Sequence, residues 1–308
     1  MTTSFYATCP KRYFRGERCL ISQLSDILAP NELQNLVDSA KPGDVITLPA
    51  GEYRQKLIIR TPGITIKGAG RDRTKIVWDD YARKMDKNQL EYNTFRTWTI
   101  AVCAPDVTIT DIHIENDALF PERKGQEVAL SVIGDGFKME DCTLSSTQDT
   151  LFCGPLPEDL IERYDGFLPD ELRQNGPFHQ TFNGCLIEGT VDFIFGCAQA
   201  EFNGCEIRSI KDARGCGYAA APAHPLSDEE GFTFADCRFT HGPGVEQGSI
   251  YLARPWRDYG MCRFISCAYE DHINPLGFDK WNDTDRDKTA RFYETPPVPG
   301  RVSWAKSM

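Results

Sequence analysis

Short runs of alternating apolar and polar residues recur along the chain, each followed by a small or polar pair and a second apolar run. They begin at Gly63 (GITIKGAG), Asp106 (DVTITDIHIEN), Gly136 (GFKMEDCTLSS), Phe178 (FHQTFNGCLIEG), Ala200 (AEFNGCEIRS), Gly231 (GFTFADCRFTH) and Cys262 (CRFISCAYED). Alternation with a period of two predicts strands that bury one face. In the last five runs Cys142, Cys185, Cys205, Cys237 and Cys267 hold the same place, at gaps of 43, 20, 32 and 30 residues. Such spacings, with small or polar corners, predict the coils of a parallel β-helix, in which equivalent residues stack as internal ladders. The cysteines then form one inward rung. An antiparallel sandwich or propeller would also supply many short strands. Against it, Asn-Gly pairs do not join adjacent strands as hairpins; Asn183-Gly184 and Asn203-Gly204 sit at the recurring corner.

Residues 31–40 (NELQNLVDSA) predict a short amphipathic helix, with Asn31 as its N-cap and Lys41-Pro42-Gly43 as its stop. A helix there would cover the open first coil and protect its edge. Residues 79–96 and 154–177 lack a strand period and predict long loops, which on a rigid scaffold often shape a binding site. The expected architecture is all-β: one domain over 1–308, with 1–30 an N-terminal extension and 31–305 the β-helix and C-terminal segment.

Composition narrows the function classes. Of 308 residues, 41% are hydrophobic, enough for a sizeable core. A net charge of -11 argues against nucleic acid and anionic membranes as partners. It also disfavours a fully ionised polyanion, unless the cleft is locally basic or the substrate's charge is masked. No apolar run approaches the roughly 18–20 residues of a membrane span. The first residues show no basic start leading into an apolar stretch, so a cytoplasmic location is expected, the alternative being a secreted protein whose leader is absent. The 12 cysteines include no Cys-x-x-Cys pair, and no histidine has metal-ligand spacing to a cysteine. Buried free thiols, a reducing compartment, no metal, no cofactor and a monomer are the expectations.

Several polar residues stand out within apolar surroundings. Asp192 lies in GTVDFIFG, where a carboxylate is costly unless paired; a structural ion pair and a reactive site are equally open readings. Asp149 follows Gln148 in STQDTLFCG, and Gln126 heads the apolar run of KGQEVALSV. Arg254 lies in YLARPWRDYG, where Pro255 restricts it toward extended backbone and Trp256 offers a flat apolar surface. Singly, each suits a cap, a turn or a core aromatic. In a β-helix, residues far apart in sequence meet on adjacent coils, so two carboxylates, two amides and an arginine can converge on one outer face.

At these residues the chain resembles the pectin methylesterase (pectinesterase) family, in a bacterial-type form. GTVDFIFG (Gly189–Gly196) is similar to the family signature. Gln148-Asp149-Thr150-Leu151, the Gln126–Leu130 block and Leu252–Trp256 resemble further family blocks, as do Gly217-Tyr218 through Pro222, Pro275–Asn282 and Arg301–Trp304. The resemblance spans roughly residues 31–305. It implies a single-stranded right-handed parallel β-helix and hydrolysis of galacturonate methyl esters in pectin or oligogalacturonides, without cofactor or metal. It implies Asp192 as nucleophile, Asp149 as general acid and then base, Gln126 and Gln148 as oxyanion donors, and Arg254 as the group that holds Asp192 ionised. Trp256, Phe195, Phe152 and Tyr218 are the implied substrate-binding residues. Phe152 stands where the family has Tyr, Ala253 where it has Gly, and the 154–177 segment is longer than the family's connection. Competing expectations are another β-helix pectin enzyme, a non-catalytic carbohydrate-binding β-helix, or an esterase for another small ester.

Overall fold

The computed structural model describes residues 19–21, 32–118 and 125–307. The expected N-cap Asn31 and most of the 1–30 extension lie outside them. The strands form three parallel sheets of ten, eight and seven strands, and neighbours within a sheet come from successive coils. Among the described residues no helix is long and apolar enough to cross a membrane.

Register explains the core. In the ten-stranded sheet Ile46, Ile66, Ile109, Met139, Phe182, Phe202, Phe234 and Phe264 lie directly opposite one another from coil to coil. The alternation seen in the sequence points every one of them inward, and all are fully buried. The four phenylalanines stack at centroid distances of 4.8, 4.7 and 5.0 Å. Each such ring contributes up to about 3 kcal/mol by burial, and each pair about 1 kcal/mol beyond it.

The recurring corner has a backbone cause. Asp111, Asp141, Gly184, Gly204, Asp236 and Ser266 all have positive φ, between 50° and 60°. This left-handed bend selects Gly, Asn and Asp, hence the small or polar pair. Directly after it come the cysteines, as expected. The thiols of Cys205, Cys237 and Cys267 donate to the carbonyls of Phe182, Phe202 and Phe234, one coil back, at 3.3, 3.2 and 3.3 Å. The cysteines from Cys103 to Cys267 are free; Cys216 is exposed, whereas the rung is buried at Cys142, Cys185, Cys205 and Cys237 and half-buried at Cys267.

Helix α1 (Glu32–Ser39) buries Leu33 and Val37 against the first coil. It also protects an edge. The Gln34 amide donates to the Ile58 carbonyl at 2.9 Å and accepts from the Ile58 N–H at 2.8 Å. Ile58 belongs to Leu57–Ile59, the terminal strand of the seven-stranded sheet. One side chain thus replaces the missing neighbouring strand.

The 79–96 segment is irregular, as expected, apart from a short 3-10 turn at Thr94–Arg96. The 154–177 segment departs from the loop expectation: it holds helix α2 (Glu158–Arg163) and a 3-10 turn at Asp170–Leu172. Pro157 precedes α2, and Glu158 and Asp159 sit in its first turn, where negative charge is favoured. Leu160, Tyr164, Leu168 and Leu172, four apart, bury onto a second apolar cluster with Phe95, Phe152 and Phe195. Pro and Gly conceal that helical period in the sequence.

Candidate active site

The expected site residues gather along the seven-stranded sheet. Gln126 precedes the strand Leu130–Val132, Gln148 and Asp149 precede Leu151–Cys153, Asp192 lies within Val191–Gly196, and Arg254 follows Ile250–Ala253. These strands are neighbours in the sheet, with Gly217–Pro222 between the last two. Gln126, Gln148, Asp149, Asp192 and Arg254 all line one cleft of about 380 Å³.

Local backbone geometry brings the two aspartates there. Both have left-handed φ, 66° at Asp149 and 52° at Asp192, a conformation aspartate tolerates better than bulky residues. The Asp149 N–H donates to the Val191 carbonyl at 3.1 Å, which sets it beside Asp192. At Asp192 the pairing with the next coil slips: Val191 faces Tyr218, but Ile194 faces Ala220. This β-bulge leaves two residues, Asp192 and Phe193, opposite one. Phe193 enters the core, while Asp192 lines the cleft. The glycines of GTVDFIFG are required by close approach. A Cβ at Gly189 would lie 2.4 Å from Phe193 Cβ, and one at Gly196 would lie 2.0 Å from the Cys153 carbonyl oxygen.

Arg254 grips Asp192 with both arms: Nε donates to Oδ1 at 2.8 Å, and a terminal nitrogen to Oδ2 at 2.7 Å. Its guanidinium packs 3.7 Å from the Tyr218 ring centroid and 4.0 Å from that of Trp281. Such contacts are worth about 2 kcal/mol when desolvated, and they fix the plane that matches the carboxylate. Burial pushes Asp192 above the ordinary carboxylate value, and the two bonds from Arg254 oppose it. Asp149 is raised well above that value, first by burial and then by the Asp192 charge. Both aspartates are shifted up, Asp149 the further of the two, so the protonated form is favoured at Asp149 over Asp192.

The two amides differ in support. Gln148 Oε1 accepts from Arg214 at 3.1 Å, and the Gln148 side chain also hydrogen-bonds the Asp149 carboxyl, which sets its NH₂ beside the reacting pair. Asp212 holds Arg214 with two bonds of 2.7 Å. The Gln126 carbonyl accepts from the Ala82 N–H at 3.0 Å, which ties its backbone to the 79–96 segment. Trp256 and Phe195 line the cleft as expected. Phe152 does not: it is fully buried beneath, 5.0 Å from both Phe95 and Phe195. A hydroxyl there would have no route to solvent, which accounts for Phe in place of Tyr. Tyr218 lies behind the cleft as a support for Arg254. Sequence reasoning missed Arg214 and Trp281, and it missed Leu160, Arg163 and Tyr164, by which the insertion walls the cleft. An isolated Trp in the polar KWND stretch was the available signal for Trp281; Arg214, in an exposed polar turn, had none.

The insertion is tied to both flanks. The Tyr164 hydroxyl donates to Asn93 Oδ1 at 2.9 Å, and Arg257 holds Asp159 at 2.9–3.1 Å. Behind that ion pair lies a larger cavity of about 790 Å³. It contains none of the carboxylate pair or amides, so the smaller cleft is the chemical one.

The family model Pectinesterase matches residues 30–155 and 174–305, leaving most of the insertion unmatched. The chain is 30% identical over 278 residues to Pectinesterase QRT1 of Arabidopsis thaliana, covering 86% of this chain and 65% of that relative. It is 29% identical over 293 residues to Pectinesterase 31 of the same plant, covering 90% and 83%. The fold aligns with TM-score 0.77 to the crystal structure of a pectin methylesterase mutant in complex with a hexasaccharide, at 24% identity, covering 97% of this chain and 94% of that one. The shared fold is the right-handed parallel β-helix.

Proposed function

The chain belongs to the pectinesterase family, and from that premise we propose that it removes methyl esters from galacturonate units of pectin or its oligomers, releasing methanol. The observation that carries this reading is an Arg-clamped carboxylate that shares one cleft with a second carboxyl, which burial and the first one's charge raise well above the ordinary value. An Asp192 oxygen attacks the ester carbonyl carbon. The NH₂ groups of Gln148 and Gln126 donate to the oxygen that gains charge, each such donor being worth about 3 kcal/mol. The intermediate collapses, the C–O bond to methoxide breaks, and Asp149 gives its proton to the departing oxygen. The galacturonyl group is then held on Asp192 as an anhydride. Water adds to its carbonyl while Asp149 takes one water proton, and the Asp192–acyl bond breaks. The products are methanol and a galacturonic acid, and both aspartates return to their starting states.

The substrate is a short oligomer in preference to the polymer. Leu160, Arg163 and Tyr164 wall the cleft, and the bonds to Asn93 and Arg257 fix that wall. The net charge of -11 favours units whose carboxylates are largely esterified. The free thiols suit a reducing compartment and imported oligomers; secreted protein with a cleaved leader would overturn this part. The deciding experiment is methanol release across oligogalacturonides of defined length and methylation. Asp192→Ala, shown folded by circular dichroism, is expected to release none. Unchanged turnover in that variant overturns the mechanism.

A further inference from the structure

At the far end of the eight-stranded sheet, strands Arg238–His241 and Ala268–Tyr269 pair with Phe239 opposite Tyr269. That register carries His241 up to the turn that holds Glu270, Asp271 and His272. The ligand atoms of His241, Glu270 and His272 lie within 4.8 Å of one another. His241 Nδ1 is 3.0 Å from the Gly242 carbonyl, so it carries the proton and donates. The Nε2 lone pair is left facing Glu270 Oε2 at 3.7 Å and Asp271 Oδ1 at 3.5 Å. His272 is fully buried, and neither of its ring nitrogens has a hydrogen-bond partner. An imidazole buried with both nitrogens unpaired is costly unless something binds there.

We propose that His241, Glu270 and His272 bind one divalent transition-metal ion of the zinc type, with Asp271 or water as the fourth ligand. Two imidazoles and a carboxylate suit zinc, whereas calcium and magnesium require oxygen ligands. The ion's role is structural. The Ile250 N–H donates to the His272 carbonyl at 3.0 Å, and the Asn274 N–H donates to the Ile250 carbonyl at 2.7 Å. From Ile250 the strand runs to Arg254, and from Asn274 the chain runs to Trp281. The ion therefore ties together the two segments that deliver the arginine clamp and one of its aromatic supports. None of its ligands lines the cleft.

The test uses the full chain after chelator treatment. Zinc is titrated by calorimetry, thermal unfolding is followed with and without zinc, and cobalt(II) serves as a spectroscopic probe. Expected are one equivalent of zinc, a raised unfolding temperature, and visible cobalt bands without thiolate charge transfer. Glu270→Gln and His241→Ala should each weaken zinc binding at least tenfold and abolish the temperature rise. Their metal-free stability should match that of the chelated parent, and they should retain methanol release. Glu270 is exposed, so its variant is expected to fold. Absence of stoichiometric zinc, unweakened binding in both variants, or a thiolate-type cobalt spectrum overturns the proposal. Loss of methanol release in every form, with zinc binding intact, would instead count against the esterase reading.

Discussion

Arg254 holds both carboxylate oxygens of Asp192, at 2.8 and 2.7 Å, from a position 62 residues further along the chain. The two side chains are nearly buried, with 13% and 10% of their surfaces exposed. Arg254→Ala leaves a buried charge without its partner, which typically costs about 3–5 kcal/mol of stability. Asp192 then takes up a proton and loses its orientation. Methanol release should fall by about 10²-fold or more, with a lowered urea midpoint. Arg254→Lys keeps the charge but not the two-armed grip, so its rate should fall between the two.

Asp149 gives the pH dependence its sign. Its carboxyl is raised well above the ordinary value, so the acid form persists as pH rises and is lost above the shifted value. The rate should decline on that alkaline limb. On the acid side it should decline as Asp192 takes up a proton. Stability follows the same proton. The favourable contribution is complete below the unfolded value of about 3.9 and disappears as pH rises through the folded value. Asp149→Asn, neutral throughout, should lose methanol release yet gain in urea midpoint over the parent as pH rises above about 3.9, the gain levelling off above the folded value. Identical midpoints at every pH would contradict the shift.

Arg214 acts through Gln148, whose carbonyl oxygen it holds. Gln148→Ala should lower kcat by about 10²–10³-fold, the loss seen when one oxyanion donor is removed. Arg214→Ala should give a smaller loss in kcat with KM little changed, because the amide remains but is free to turn. A rise in KM alone would show that Arg214 binds ground-state substrate instead.

The insertion should govern chain length. In the double variant Leu160→Ala, Tyr164→Ala the wall loses its packing on Phe95 and its bond to Asn93. The ratio of methanol release from polymeric pectin to that from short oligomers should rise several-fold. An unchanged ratio would remove the insertion from substrate selection.

The aromatic ladder is separable from the chemistry. Phe202 stacks between Phe182 and Phe234, away from the cleft. Phe202→Ala should cost about 3–5 kcal/mol in urea unfolding while kcat stays near the parent's. A large loss of kcat at full stability would contradict this separation.

Much of the scaffold was legible because each coil repeats one local rule. Alternation set the inward face, and residues that tolerate left-handed backbone marked the corner, as Asp141, Gly184 and Asp236 do. Helix α2 was not legible, since its four-residue period is broken by Gly166 and Pro169 and gains meaning only against Phe95 and Phe195. Phe152 was placed on the cleft surface because its neighbours in sequence are site residues. The insertion covers it, and nothing in the local string shows that.

The sequence by itself determined which residues are reactive in kind: two carboxylates, two amides and one arginine in distinctive strings. It also determined that they ride on a repeating strand scaffold, since periodicity is a local property. The tertiary structure alone decided their division of labour. A bulge at Asp192 turns its carboxylate to the arginine, and the backbone of Asp149 is tied to Val191. It likewise decided the supports, with Arg214 behind Gln148, Tyr218 and Trp281 against Arg254, and α2 over the cleft. These are contacts between coils or with an insertion, made by residues distant in the chain. Burial and charge act through space, so no local pattern records them.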